Sequence, residues 1–516
     1  MTRKAILFGY YGAANSGDEL LLAQVLRWLR DMHWETVVVS RNPDYTQRVF
    51  DTEAIDFSNL GSVALAMADA QIVIFGGGGI FQDHHPFRRQ ALFNPSQNDI
   101  SAYGRFILLA QQYNRPVVLL GLGLGPLRSD DARQITGDLY ERVARFTLRD
   151  KESAELLRDI GVKRPILVAP DIGWAYAVRW TGEHLPLAAE PSSPKLAIIL
   201  RHWDGEALWQ ERLVEALTGC IPPNWHIELV GFQQSVGPGD VTSDEPTLVR
   251  MAERLKHVAP TSIRMCPGQD DALQAISEAT AVISMRFHAS LIALAQKKPF
   301  MALEYDLKMV ALHDSVGMPK SLRVGLTDTS ETFRAAVITL MQEQTAETPQ
   351  STHWAMSEEA IQQLARDADL HRTELALALQ DAEVAEPAQP TTASVDWLAL
   401  WTESLIDELK VEKLAVGRAH DLLIFHQHMM NDQLTGIERK LDALIGSKVE
   451  SQADLNITSE VGSESDLNAT SEVDSDSDLN AKSEVGSESD LQDTSGVDSI
   501  PENNTDSPEN ISPPPR

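Results

Sequence analysis

Arg286 and His288 stand two residues apart, behind the short apolar run at 281–284 and ahead of a helical pattern that starts at 289. Arginine offers a planar fork of donors that fits phosphate or carboxylate. Histidine can exchange a proton near neutral pH. In an extended strand end, residues i and i+2 point the same way, so both side chains are expected to face one site. The helix that follows would aim its positive end at that site. One strand later, Lys308 closes the stretch Glu304-Tyr305-Asp306-Leu307-Lys308. It is a second candidate anion ligand, with an ordinary surface lysine as the plainer alternative.

Three glycine-rich segments precede this pair. Gly9-Tyr10-Tyr11-Gly12-Ala13-Ala14-Asn15-Ser16-Gly17-Asp18-Glu19 lies between an apolar run and a helical pattern. Such a loop lets a phosphate or carboxylate approach a helix N-terminus, and Asn15, Gly17 and Asp18 are its candidate binding residues. Asp18 could equally cap the helix. The spacing is not GxGxxG and no GK[ST] follows, so neither a dinucleotide fingerprint nor a P-loop is present. Gly76–Gly79, followed by Gln82 and Asp83, and the set Gly121, Gly123 and Gly125 each come after an apolar run. Both are expected to form loops over the crevice where α/β proteins bind ligands. Gly77, Gly78, Gly123 and Gly125 would admit the ligand, and Gln82 and Asp83 would meet sugar hydroxyls. A fourth segment, Thr147-Leu148-Arg149-Asp150, ends a strand with Arg149 as a ligand candidate and Asp150 as the cap of the next helix.

The surrounding pattern shows what must position these residues. Apolar runs occupy 5–9, 36–40, 71–75, 116–120, 145–148 and 165–169, then 196–200, 226–230, 262–265, 281–284 and 299–303. Amphipathic stretches alternate with them, at 19–31, 101–113, 131–145, 151–160, 247–257 and 289–297. That alternation predicts βαβ units and parallel sheets. The series pauses at 182–194, which contains Pro186, Pro191 and Pro194. Two α/β domains follow from this, 1–182 and 183–384, the second carrying a trailing helix over 357–379, with the ligand in the cleft between them. A linker is expected at 385–394. Residues 395–448 read as a helical segment, with a coiled coil and self-association among its uses.

Assembled in this order, the motifs resemble the polysaccharide pyruvyl transferase family, close to its CsaB-type members. The carriers are GYYGAANSGDE (9–19), FGGGGIFQD (75–83), GLGLGPL (121–127), TLRDKES (147–153), APDIGW (169–174), SMRFHASLIALAQKKPF (284–300) and EYDLKM (304–309). The resemblance covers about residues 4–345. It implies two Rossmann-like domains in a glycosyltransferase-B-like arrangement. It also implies transfer of a pyruvyl group from phosphoenolpyruvate, the co-substrate, to two hydroxyls of a sugar, with no cofactor and no metal. The implied acceptor is N-acetylmannosamine in a cell-wall glycan precursor, a lipid-linked one included, and the pyruvylated polymer anchors surface-layer proteins. His288 would be the general acid and Arg286 the anion ligand. A leucine-like residue is usual between the two in the family, and Phe287 stands there instead.

Composition bounds the alternatives. The 516 residues carry 44 Lys+Arg against 75 Asp+Glu, a net charge of −31. Nearly half of it, −15, falls in 450–516, where 17 acids face only Lys482 and Arg516. Without a basic face, nucleic-acid binding is excluded as a main role. Residues 449–516 are expected to be a disordered acidic tail, with a 12-residue repeat whose copies begin at Asp454, Asp466, Asp478 and Asp490. Two cysteines, Cys220 and Cys266, and no CxxC fit a reducing, cytoplasmic setting. Peripheral attachment at the inner face of the plasma membrane stays open. Two rival functions fit the same outline: a glycosyltransferase using a nucleotide sugar, and a non-catalytic glycan-binding scaffold.

Overall fold

The computed structural model describes residues 3–83, 100–184, 193–235, 242–345 and 354–384. The linker at 385–394, the helical segment at 395–448 and the acidic tail at 449–516 lie outside the described residues.

Residues up to His184 build a parallel sheet of seven strands in the order β3-β2-β1-β4-β5-β6-β7. These are β1 (Lys4–Phe8), β2 (Glu35–Ser40), β3 (Glu53–Asp56), β4 (Ile72–Phe81), β5 (Val117–Leu124), β6 (Arg145–Leu148) and β7 (Leu167–Val168). The helices between them are α1 (Ser16–Asp31), α2 (Pro43–Phe50), α3 (Leu60–Asp69), α4 (Ile100–Gln112), α5 (Asp130–Arg142), α6 (Lys151–Asp159) and α7 (Gly173–His184). The central strands are buried on both faces. Ala5 and Leu7 of β1 join one apolar cluster, and Ile6 and Phe8 join the other. Ile72 and Ile74 of β4 alternate with Val73 and Phe75 in the same way. This period of two is what a pleated strand imposes. Short polar side chains start the helices: Asn15, Asn42, Asn59, Ser129 and Asp150 each accept from a first-turn backbone N–H.

A second parallel sheet has six strands in the order β10-β9-β8-β11-β12-β13. They are β8 (Lys195–Ile199), β9 (His226–Gly231), β10 (Thr261–Met265), β11 (Ala281–Ser284), β12 (Phe300–Glu304) and β13 (Arg323–Gly325). Its helices are α8 (Glu206–Leu217), α9 (Glu245–Leu255), α10 (Gln269–Ser277), α11 (Phe287–Ala295), α12 (Leu307–Ser315) and α13 (Ser330–Thr345). A last helix, α14 (Glu358–Val384), returns to the first sheet and packs on α7, β5 and β6. One apolar cluster runs through α1, α7, α11 and α14 into the second sheet, so the inner faces of the two domains share a core. The architecture is α/β, with two doubly wound parallel sheets.

The strand order reverses between β1 and β4 in the first sheet and between β8 and β11 in the second. Ligand crevices open at such switch points. Two expectations need correction here. The glycine segments are not loops: β4 runs through Gly76–Gly79 to Phe81, and β5 runs through Gly121 and Gly123 to Leu124. The two segments pair with each other, Gly76 with Leu120 and Gly78 with Leu122, and the register shifts between Gly78 and Phe81. Strands β3 and β13, with only four and three residues, were not among the expected strands. Among the described residues no helix is long and apolar enough to cross a membrane.

Candidate active site

His288 sits in the first turn of α11, where it meets the first domain. A Cβ on Gly17 would overlap its ring, with Cγ at 2.7 Å. Only glycine at that point of α1 lets the two domains close this tightly. On its other side, His288 Nε2 lies 3.6 Å from Asp171 Oδ1. Asp171 is 3% exposed, in the turn before α7. Its Oδ1 accepts from Gly173 N at 2.8 Å and its Oδ2 from Arg149 Nη1 at 3.1 Å. Burial alone would raise its carboxyl. His288 first, then Arg149 and the Gly173 N–H, instead hold it well below the usual carboxylate range. Asp171 therefore stays ionised between an arginine of its own domain and the histidine of the other.

Arg149 follows β6 and is buried. It reaches Asp171, with Asp150 Oδ2 at 3.5 Å from its Nε. Burial works against its charge, and Asp171 and Asp150 more than offset that. A Cβ on Gly123 would stand 2.5 Å from Arg149 Nε, and one on Gly79 would stand 3.7 Å from Nη2. The ring of Phe287 lies 4.3 Å from the Arg149 guanidinium carbon. Phe287 thus stacks on a site arginine of the other domain.

Arg286 caps α11 without a side-chain bond to it. Its carbonyl accepts from Ser290 N and Ser290 Oγ, and its own N–H donates to Ser284 Oγ. Its guanidinium pairs with Asp244, which is 1% exposed. The other oxygen of Asp244 accepts from the N–H groups of Phe232 and Gln233, both at 3.0 Å. Arg286 and His288 do not share a strand face as expected, because the first ends an extended segment and the second has already entered the helix. They converge nonetheless: His288, Arg149 and Arg286 all act electrostatically on the half-buried Asp18. Burial pushes the Asp18 carboxyl up, these three pull it down, and the net direction is upward.

Along the same edge, Arg201 Nη1 lies 3.4 Å from Tyr305 Oη, and Trp203 stacks edge-on against that ring at 4.4 Å. Lys308 Nζ is 3.3 Å from Asp306 and 5.4 Å from the Tyr305 ring centre. Burial would raise the Tyr305 phenol, but Lys308, Arg201 and Arg286 bring it down. Three cations thus share one wall of the cleft.

Other sequence expectations are redirected. Asn15 is not available to a substrate: its Oδ1 caps Gly17 N at 3.1 Å and its Nδ2 donates to Gln233 of the second domain at 2.8 Å. Ser16 N donates to Phe232 O at 2.8 Å, so the start of α1 is closed by the neighbouring domain rather than by an anion. Asp83 is also consumed, accepting from Arg128 N, Ser129 N and Ser129 Oγ just before α5. Gln82 stands between the end of β4 and the segment 84–99, outside the described residues. Gly77, Gly78 and Gly125 make room for the chain's own side chains: Cβ atoms there would meet Leu21 at 2.9 Å, Asp18 at 3.1 Å and Leu156 at 3.1 Å. Asp150 is the helix cap expected of it, at 2.7 Å from Ser153 N. Asp244, Arg201, Trp203 and Tyr305 are partners of the site that were not expected from the sequence, and Asp171 had no expected role of its own. An Asp just before a strand-following helix was the only available signal for two of them.

Residues 15–306, more than half the chain, match the family model described as polysaccharide pyruvyl transferase. The chain belongs to that family. The match encloses Asp18, Arg149, Asp171, Asp244, Arg286 and His288, so this family member carries its buried charge cluster inside the shared region. No curated protein matches the sequence. Among solved structures, a putative UDP-N-acetylglucosamine 2-epimerase from Listeria monocytogenes aligns with TM-score 0.48 at 13% identity, over 76% of this chain and 100% of that one. The UDP-GlcNAc 2-epimerase of Methanocaldococcus jannaschii aligns with TM-score 0.44 at 13% identity, over 71% and 99%. Sucrose-phosphate synthase from Thermosynechococcus elongatus gives 0.45 at 14% identity, over 74% and 98%. As a pyruvyl transferase family member the protein is an enzyme of polysaccharide modification. Among its described residues no group of three or more His, Cys, Asp or Glu side chains is placed to hold a metal ion.

Proposed function

We propose that the protein transfers the pyruvyl group of phosphoenolpyruvate to two hydroxyls of a sugar, N-acetylmannosamine in a surface-polysaccharide precursor, forming a cyclic ketal and releasing phosphate. The observation that carries this reading is the convergence of Arg149, Arg286 and His288 around Asp18 where the two domains meet. Phosphoenolpyruvate presents a phosphate and a carboxylate on one enol carbon. Two guanidinium groups suit two such anions.

In this reading His288, held by ionised Asp171, delivers a proton to the methylene carbon. The enol carbon becomes an oxocarbenium-like centre, and a sugar hydroxyl adds to it. The C–O bond to phosphate then breaks, and the second hydroxyl closes the ketal. Two protons leave the hydroxyls; one ends on the new methyl group and the other on the departing phosphate. Asp18, whose carboxyl is raised, takes a hydroxyl proton and passes it on. Arg286 and the uncapped start of α11 stabilise negative charge building on the leaving phosphate.

The test is phosphate release from phosphoenolpyruvate, with and without N-acetylmannosamine-containing acceptors, for wild type and Arg286→Ala. Acceptor-dependent release that Arg286→Ala lowers by about 100-fold or more is expected. No release with any acceptor, together with turnover of a uridine-diphosphate sugar, would replace this reading with glycosyl transfer.

A further inference from the structure

We infer that His371, on the trailing helix α14, is a positioning residue for the catalytic ion pair of Arg149 and Asp171. The helix lies beyond the matched region, yet it delivers a fully buried histidine behind the site. His371 Nε2 lies 2.9 Å from the Pro170 carbonyl, and Nδ1 lies 2.7 Å from Thr147 Oγ1. Thr147 Oγ1 also accepts from Gly121 N at 2.8 Å.

These partners decide the tautomer. A carbonyl only accepts, so Nε2 carries the proton and donates to Pro170. Thr147 oxygen takes the Gly121 N–H and turns its own hydroxyl proton to Nδ1. The result is one unbroken relay, Gly121 to Thr147 to His371 to Pro170, with every polar atom satisfied. Burial keeps the ring neutral, depressing it to about 4.

The relay ties together three strand ends that each lead to the site. Gly121 lies two residues before Gly123, against which Arg149 packs. Thr147 lies two residues before Arg149, and Pro170 directly precedes Asp171. Ile172, next in the chain, closes against Gly121, where a Cβ would meet its side chain at 3.0 Å. Surface ion pairs from Arg145 to Glu374 and Asp381 lay the helix along β6. They fix its place, while His371 sets the register of the three ends. The ion pair needs this register because reacting groups displaced by about 1 Å lose roughly 100-fold in rate.

The inference rests on the proposed pyruvyl transfer, and its test separates the two. His371→Ala, His371→Gln and Thr147→Val are compared for kcat and KM of phosphate release from phosphoenolpyruvate, at temperatures where melting curves show each variant folded. The expected result is a kcat lowered by about 10- to 100-fold in His371→Ala and Thr147→Val. Gln can accept from Thr147 and donate to Pro170, so His371→Gln recovers most of it. Wild-type kcat in folded His371→Ala and Thr147→Val, with only the melting temperature lowered, would overturn the inference. If wild type releases no phosphate with any acceptor, the functional reading falls alone. Positioning is then read from the Arg149 Nε–H resonance by NMR. A shift in His371→Ala that His371→Gln reverses supports it, and no shift in either overturns it.

Discussion

The two sheets share a strand order and both turn their switch point toward the same cleft, yet they bring opposite things to it. The first sheet brings glycine-rich strand ends and two acids, Asp18 and Asp171, with Arg149 locked against one of them. The second brings Arg201, Arg286, His288 and Lys308, gathered around Tyr305 and the start of α11. Topology fixes where a crevice opens. It does not fix what faces it. In the first sheet the absent side chains matter most, because each glycine clears space for a charged or apolar group crossing from elsewhere. In the second the side chains themselves carry the charge.

That contrast is broken most directly at His288. Under the proposed reaction His288→Asn keeps a hydrogen-bonding nitrogen near the place of Nδ1 but cannot deliver a proton. Phosphate release should fall by about 100- to 10,000-fold, the usual range for a lost general acid. A loss under tenfold would move the chemistry to the first sheet and remove the asymmetry. Gly123→Ala tests the other side. Its new methyl would collide with the Arg149 guanidinium, which is buried and paired and cannot swing away freely. Activity should drop by about 10- to 100-fold, with stability lowered by about 1–3 kcal/mol. Unchanged activity, measured by the same phosphate assay, would show that the glycine there serves a ligand and not Arg149.

How much of this was legible beforehand follows the same division. The alternation of apolar runs and amphipathic helices gave both sheets, because strands buried on both faces leave a period that survives in the sequence. Arg286 and His288 stood out because a cation and an imidazole two residues apart follow a clear strand. The glycine runs were misread as ligand loops. A sequence displays the missing Cβ but not the side chain that fills its place: Leu21 and Asp18 come from α1 and Arg149 from the end of β6. Asn15 and Asp83 looked like ligands for the same reason. Their partners, Gln233 and the Arg128–Ser129 backbone, lie far along the chain or carry no residue-type signal. Asp244 showed only its place before a helix, and His371 showed nothing, since a single polar residue within a helix has no spacing to read.

A sharper comparison sets neighbouring acids of the first sheet against each other. Asp18 faces the cations, while Glu19 turns inward, accepts from Gly12 N at 2.9 Å and leaves its second oxygen buried without a partner. Burial, then the charge of Asp18, pushes the Glu19 carboxyl up to about 8, against the pull of the Gly12 N–H. The folded chain therefore keeps a proton that the unfolded chain releases near 4.5. Stability is fully present below that value and falls as pH rises toward 8. Glu19→Gln has the shape of the protonated acid and does not titrate. Its melting temperature should equal wild type at about pH 4 and exceed it at about pH 9, by an amount corresponding to roughly 3–5 kcal/mol. Parallel melting curves across that range would mean Glu19 is ionised in the fold, and the inward acid would then belong with Asp18.

The smallest effect comes from a glycine that clears space for nothing. Gly182 lies near the end of α7, exposed, with ordinary helical backbone and no atom within 4 Å of a Cβ built there. Gly182→Ala costs no contact and removes conformational freedom from the unfolded chain. It should stabilise the protein by about 0.5–1 kcal/mol with the phosphate-release rate unchanged. The same substitution at Gly17 meets the His288 ring on the α1 side of the cleft, and there both activity and stability should fall. The pair isolates the variable that separates the two kinds of glycine, because the mutation is identical and only the neighbour differs. If Gly17→Ala behaved like Gly182→Ala in thermal melts, His288 would have room that the closed cleft does not give it, and the two domains would part more widely in solution than their shared core implies.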